Sequence, residues 1–372
     1  MAALPERQHS TATRVLEWRG KQPQEHRAHL GASVLGHDCD RHLWLLFRNA
    51  WTPTFTGKLL RVFDRGKREE ATVFEELRGI GVELYTDENG KQIDCRDETG
   101  HVGGSVDGIG KGFPESPGTW AVLEIKTHSS KSFADLVAKK VQASKPQHYV
   151  QMQVYMHLLQ LERALYYAVN KDTDDIYVEW VHYDQTVAEE ALARGKRIVE
   201  MNDPPPKLSE DPAFWKCKGC QHAPICHEKR VAEPNCRTCC HASPVGNGSW
   251  RCEIHDKELS RAEQLKGCGE HLLIPALVPY GEPLDGGNGW VEYKHTATGK
   301  TFRNGSGGLS SAELHASVES IVVDPTVQAM RATFGATVRS SSGRKRAVDL
   351  AKIPCPDPVP FDDDISFIGG GK

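Results

Sequence analysis

The chain has 372 residues, of which 38% are hydrophobic and 26% charged, with a formal net charge of −4. That length allows one large domain with additions or two to three smaller ones, in a soluble globular class. No apolar run reaches the length of a membrane span, and the N-terminal stretch MAALPERQHSTATRVLEW carries charges where a signal peptide needs an apolar core. These features predict a cytoplasmic protein, in the host cytoplasm if phage-encoded, with no membrane partner. The near-neutral charge excludes reading a nucleic-acid partner from bulk electrostatics, so any such signal has to be local.

In chain order, residues 1–28 are polar and carry no assignment. Residues 29–50 predict a helix opening near Ser33 with Leu43, Leu45, Leu46 and Phe47 as its apolar content, and 58–80 predict a second helix ending at Gly79 or Gly81. Strands are expected at 81–87, 92–95, 101–109 and, most strongly, 119–127 (TWAVLEIKT). Residues 146–161 predict a helix with Pro146 in its first turn and a stripe of Val150, Val154, Leu158 and Leu161. Two strands (163–170, 175–184) and a helix from about 186 to 202 complete an α/β core with one mixed sheet. DPPPKLSEDP (203–212) reads as a linker, 215–271 is cysteine-rich, 281–345 is Gly- and Ser-rich with a hairpin at 288–305, and the chain from about 346 reads as disordered.

The chemistry starts in TWAVLEIKT. Side chains alternate along a strand, so Leu123 and Ile125 face one way and Glu124 and Lys126 the other. An acid and a base on one face of an apolar strand are costly to bury without partners. An E-x-K triplet alone is common on edge strands that meet water. Asp107, in the Gly-rich segment GGSVDGIG, changes the weight, because a hairpin there returns the chain antiparallel and sets Asp107 beside Glu124. Two carboxylates and the Ile125 carbonyl form a hard oxygen site suited to Mg²⁺ or Mn²⁺. Lys126 is then placed to orient a water or offset charge on a phosphate. Gln151 and Tyr155 share a helix face by their i, i+4 spacing, and GKREE (66–70) offers Glu69 or Glu70 as a further carboxylate. Lys131, Lys139, Lys140 and Lys145 follow the site with one acid, Asp135, among them; they read either as a solvated face or as sequence-independent phosphate contacts.

Nine of the eleven cysteines cluster, which in a cytosolic chain points to metal rather than disulfides. Cys217, Cys220 and Cys226 need a fourth ligand, for which Cys39 is the candidate. Cys236, Cys239, Cys252 and Cys268 have the spacing of a small zinc ribbon that staples a module too small to fold alone. Cys95 and Cys355 read as ordinary thiols.

Taken together, Gly104-Ser105-Val106-Asp107, Glu124-Ile125-Lys126-Thr127, Gln151 to Tyr155 and the earlier Arg65 to Glu70 resemble the RecB-like, CRISPR-associated-exonuclease-like branch of the PD-(D/E)XK nucleases, over roughly residues 30–230. Val106 stands where the name-giving proline would be. The resemblance implies a restriction-endonuclease-like core, a mixed central sheet flanked by helices, with an appended metal-stapled cysteine-rich region. It assigns metal binding to Asp107 and Glu124, catalysis to Lys126, a grip on the DNA strand to Gln151 and Tyr155, and a supporting carboxylate to Glu70. It also implies a [4Fe–4S] cluster on Cys39, Cys217, Cys220 and Cys226; tetrahedral zinc on the same ligands, or with His222 or His227, is the alternative.

The resulting organisation is a polar segment (1–28), nuclease core (29–208), iron–sulfur-type segment (209–230), zinc module (231–280), a small β-rich region (281–345) and an acidic tail (346–372). Pro360 to Phe367 resembles the acidic, aromatic tip of single-stranded-DNA-binding proteins, and reads either as a solubilising tail or as a docking motif for single-stranded-DNA-binding or recombination proteins. The expected activity is metal-dependent DNA exonuclease in recombination, repair or phage DNA metabolism; a non-catalytic adaptor on a nuclease fold is the alternative.

Overall fold

The computed structural model describes residues 10–22 and 26–337, so the acidic tail and Cys355 lie outside the described residues. Helix α1 (Ser10–Gly20) comes first, then β1 (Leu30–Gly31). The single helix expected over 29–50 is two: α2 (Ala32–Leu35) and α3 (Asp40–Phe47). The break falls at Cys39, whose thiol accepts the His42 N–H as the N-cap of α3. An N-cap is fixed by local hydrogen bonding, which an apolar count does not register.

Helix α4 (Gly57–Gly79) is capped by Thr56 and buries Phe63, Val73 and Leu77. Strands β2 (Glu83–Tyr85), β3 (Asp87–Glu88), β4 (Lys91–Gln92) and β5 (Asp94–Arg96) follow. The segment expected as one strand over 101–109 divides into β6 (Val102–Ser105) and β7 (Gly108–Lys111), which enter different sheets. Val106 and Asp107 form the joint. Strand β8 (Ala121–His128) leads into α5 (Ser130–Ser144), a helix not anticipated as such, then α6 (Pro146–Leu159), β9 (Arg163–Asn170), β10 (Ile176–His182) and α7 (Gln185–Glu200).

The central sheet runs β10-β9-β8-β7-β2; β8 and β9 are parallel and the other pairs antiparallel. The parallel pair needs a crossover, supplied by α5 and α6. One sheet face, with Leu123, Ile125, Leu165, Tyr167 and Val169, packs on Val73 and Leu77 of α4. The opposite face, with Val122, Ala164, Tyr166 and Ala168, joins Met152, Val154 and Met156 of α6. A second sheet, β1-β6-β5, lies beside it.

After α7, the short helices α8 (Trp215–Lys218) and α9 (Ala223–His227) carry the first cysteine group. The second group sits on β11 (Ala242–Pro244), β12 (Trp250–Cys252), β13 (Lys257–Leu259) and the turns around them, followed by α10 (Arg261–Gln264). Strands β15 (Trp290–His295) and β16 (Thr301–Gly305) form the hairpin expected over 288–305, and β14 (Gly281–Gly287) extends it to a three-stranded sheet. The rest of that β-rich region is helical among the described residues: α11 (Ser311–Ala316), α12 (Glu319–Val322) and α13 (Pro325–Phe334). The larger of two apolar clusters draws residues from Leu30 to Val323.

The fastening between the early helices and the cysteine-rich segment is a buried cation. Arg237 is fully buried; it donates to the carbonyls of Phe47 (2.9 Å) and Ala28 (2.7 Å) and to Gln264 Oε1. Trp250, also fully buried, has the guanidinium carbons of Arg48 and Arg237 over its ring at 5.1 and 4.9 Å. Arg237 therefore does not present charge to DNA. Trp250→Ala should lower unfolding stability by about 3–5 kcal/mol, the usual cost of emptying a buried aromatic site. Denaturant unfolding checks this, and a loss below about 1 kcal/mol would show that this contact does not hold the two parts together.

Candidate active site

The hairpin of β7 and β8 pairs Gly108 with Leu123, which brings Asp107 alongside Glu124. Asp107 Oδ2 accepts the Ile125 N–H at 2.8 Å and lies 3.9 Å from Lys126 Nζ. Lys126 Nζ donates to the Ile125 carbonyl (3.1 Å) and makes a short contact to Glu124 Oε1. The alternation expected for this strand holds: Leu123 and Ile125 enter the core beneath α4, while Glu124 is fully buried on the other face.

Glu70 completes the group. On α4 it falls on the same stripe as Phe63, Val73 and Leu77, which face the sheet, and that spacing separates it from Glu69. Burial and then the Asp107 carboxylate raise the Glu70 pKa, against lowering by Lys126 and Lys67. The Glu124 pKa is also raised, first by burial and then by Asp107 and Glu70, against Lys126. Burial alone would lower the Lys126 pKa, but Glu124 and Asp107 outweigh it and hold the ammonium charged. Three carboxylates thus share one ammonium.

By ligand chemistry, the two carboxylates of Asp107 and Glu124 with the Ile125 carbonyl suit a hard divalent cation, although among the described residues no three or more acidic side chains, Glu70 included, are grouped to hold one. Glu124 Oε2 is buried without a hydrogen-bond partner, and the carboxylates and the Ile125 carbonyl are oxygen ligands of the type Mg²⁺ and Mn²⁺ take. Added positive charge would relieve the repulsion that raises both glutamates.

Gln151 and Tyr155 are present but buried. Gln151 Nε2 donates to the Tyr155 hydroxyl at 3.4 Å, and Tyr155 donates to the Ser105 carbonyl at 2.9 Å. A Cβ on Gly104 would lie 2.6 Å from that hydroxyl, so only glycine permits the approach. Tyr155 therefore fixes the end of β6, two residues before Asp107, rather than presenting its hydroxyl to solvent. Among the lysines, 131, 139 and 140 are exposed, Lys139 pairs with Asp135, and Lys145 is buried at the junction of α5 and α6. Lys145 is thus not an exposed phosphate contact; the joint between two packed helices takes it inside.

Sequence reasoning missed a buried network beneath the site. Tyr166, paired in register with Glu124, has its hydroxyl 2.9 Å from His128 Nε2 and 2.8 Å from His148 Nδ1, and His128 Nδ1 meets Ser132 Oγ at 3.1 Å. The alternation of β8 puts His128 on the Glu124 face, but the parallel partner that supplies Tyr166 has no local signal.

Cys39, Cys217, Cys220 and Cys226 line one cavity with His37, His42 and His222. Burial, then neighbouring thiols, push the Cys220 pKa up to about 11. Burial, then Cys239, Cys268 and Cys252, do the same to Cys236, again to about 11. Among the described residues, however, no three or more His, Cys, Asp or Glu side chains stand in an arrangement that would hold a metal ion.

The family model of the PD-(D/E)XK nuclease superfamily matches residues 6–227, more than half of the chain. The chain belongs to that superfamily. Its mixed sheet with flanking helices is the restriction-endonuclease-like core expected of it. Similar solved structures include that of SSO0001, at 17% identity and TM-score 0.31 over 58% of this chain and 93% of that one. Another is the alkaline exonuclease LHK-Exo from Laribacter hongkongensis, at 13% identity and TM-score 0.33 over 50% and 90%. A third is LHK-Exo in complex with dAMP, at 15% identity and TM-score 0.35 over 49% and 89%. No curated protein matches the chain. Among the described residues, no helix is long and apolar enough to cross a membrane.

Two outcomes follow from this geometry. Tyr155→Phe should cost about 0.5–1.5 kcal/mol of stability, the net value of one hydrogen bond. It should lower turnover while leaving DNA affinity unchanged; a selective loss of affinity would return Tyr155 to the DNA contact. For pH, the Glu70 carboxyl has a folded pKa raised from 4.5 to about 7, so the folded state holds its proton where the unfolded state has lost it. Stability from this group is present below pH 4.5 and is lost as pH rises toward 7. Chelated Glu70→Gln protein should therefore lose less stability than wild type across that window, and identical pH profiles would refute the shift.

Proposed function

We propose that this nuclease-superfamily chain is a Mg²⁺- or Mn²⁺-dependent deoxyribonuclease working from DNA ends, with Asp107, Glu124 and Lys126 at its centre. The observation that carries the reading is the convergence of these three on one buried point, where Glu124 keeps an oxygen without a hydrogen-bond partner. Exonuclease action rests on the likeness to the RecB-like branch.

Asp107, Glu124 and the Ile125 carbonyl would hold the cation, with Glu70 as an outer carboxylate. Such an ion polarises a phosphodiester and lowers the pKa of adjacent water. Lys126 keeps its proton and supplies fixed positive charge against the charge that develops on the phosphate. Asp107, held by the Ile125 N–H, stays in place without reorganising. Tyr155 and Gln151 position the end of β6 before Asp107, and the exposed Lys131 and Lys140 give sequence-independent phosphate contacts.

For the cysteines we propose two metal staples: an iron–sulfur cluster, or zinc, on Cys39, Cys217, Cys220 and Cys226, and zinc on Cys236, Cys239, Cys252 and Cys268. The cavity shared by the first group supports this, since a cation bound there would stabilise the thiolates. Anaerobic purification should yield coloured protein with iron and sulfide in equal amounts for the first site and one zinc for the second. Metal-free protein that folds normally would remove both staples. The tail residues Pro360 to Phe367 are proposed to dock a single-stranded-DNA-binding or recombination protein.

End-labelled single- and double-stranded DNA should be degraded with Mg²⁺ or Mn²⁺ and not with EDTA. Lys126→Ala and Asp107→Ala should each lower the rate by about 10²-fold or more. DNA binding without cleavage by folded, metal-supplied wild type would favour a non-catalytic adaptor.

A further inference from the structure

The positive charge of this molecule is concentrated away from the lysines that follow the catalytic strand. Helix α1 and the first half of α4, to Arg68, carry seven basic residues (Arg14, Arg19, Lys58, Arg61, Arg65, Lys67, Arg68) and two acids (Glu17, Asp64), a local charge of +5 in a chain whose total is −4. One of the acids, Asp64, is already paired with Arg19.

On α4, Lys58, Arg61, Arg65 and Arg68 recur every three to four residues and form a stripe about 15 Å long at 1.5 Å per residue. It lies opposite the Phe63, Glu70, Val73 and Leu77 stripe that faces the sheet, so one helix carries the site's carboxylate inside and the cations outside. All four basic residues of the stripe are exposed.

Helix α1 lies along this part of α4. Gly57 permits the close approach, because a Cβ there would collide with the Leu16 carbonyl. Of the described α1 residues none is buried, and Trp18 is 59% exposed. A cleft lined by Val15, Trp18, Arg19, Arg61, Asp64 and Arg68 runs between the two helices. The indole is more than half exposed, with the Arg19 guanidinium carbon 5.7 Å from its ring centroid, and an exposed ring beside an arginine stripe suits a base: aromatic rings stack on unpaired bases while cations track the phosphates. A duplex would use the cations and not the ring. The stripe also leads toward the site. Arg65 Nη1 reaches the Lys171 carbonyl at 3.4 Å, and the Lys171 N–H binds the His128 carbonyl at the end of the catalytic strand.

We infer that the outer face of α1 and α4 is a track for single-stranded DNA, with Trp18 as a stacking platform and Arg61 and Arg68 as phosphate contacts. This rests on the deoxyribonuclease reading for its substrate class and adds the surface that guides the strand to or from the centre.

The test is binding of a fluorescent oligothymidylate and of a duplex of equal length to full-length protein in EDTA, across a series of salt concentrations. Trp18→Ala should weaken single-strand binding about five-fold or more and leave duplex binding nearly unchanged, with Trp18→Phe retaining most of the affinity. Arg61→Gln/Arg68→Gln should lower the slope of log affinity against log salt by about 0.7 for each arginine. Circular dichroism and thermal melting establish that each variant is folded, and the exposed positions make that the expected result. Unchanged affinity and slope, or equal loss for the duplex, would overturn the track. Cleavage is read separately: wild type that binds through this face and never cleaves removes the nuclease reading and keeps the track, whereas wild type that cleaves while the variants bind normally removes the track alone.

Discussion

The hydrogen bond from the Ile125 N–H to Asp107 Oδ2 ties the two halves of the site into one geometry. It crosses from the end of β7 to the middle of β8, and it exists because the segment before β7 leaves one sheet and enters another at Val106 and Asp107. A carboxylate at such a joint has no ladder position of its own, so it is free to accept from the neighbouring strand. That fixes Asp107 on the flank of Glu124 and Lys126 without a loop to move. The rigid parts around it follow from the same constraint: α4 covers the apolar face of β8, α6 the polar one, and Tyr155 on α6 closes the arrangement by holding the Ser105 carbonyl two residues before Asp107.

The site stores electrostatic tension. Burial and mutual repulsion raise Glu70 and Glu124, and a single ammonium offsets three carboxylates. Such an arrangement works against folding stability, and added positive charge would relieve it.

Much of the centre was legible in the sequence because it depends on short periods. Alternation along TWAVLEIKT separates Glu124 and Lys126 from Leu123 and Ile125, and a Gly-rich return segment is enough to place Asp107. Helices α4 and α6 and strand β9 were legible for the same reason. What escaped depends on contacts far apart in the chain. Cys39 breaks the first predicted helix by capping the second, a thiol acting as a backbone acceptor. Lys145 looked like one more surface lysine and is buried by the meeting of α5 with α6. Nothing local marks Arg237 for burial, and its partners, Phe47 and Ala28, lie 190 and 209 positions away. The basic face of α1 and α4 was spread over two segments that only packing brings side by side.

The clasp made by Arg237 also has a consequence for synthesis. The carbonyl of Phe47 leaves the ribosome long before its guanidinium partner, with a separation of 190 residues between them. At 5–20 residues per second that interval is about ten to forty seconds. During it, Phe47 of α3 is without its ring contact to Trp250. The nascent chain therefore passes through a stage in which its nuclease core is nearly complete but one apolar flank is open. A chain ending before residue 237 lacks both the Arg237 clasp and Trp250, and so leaves this flank uncovered.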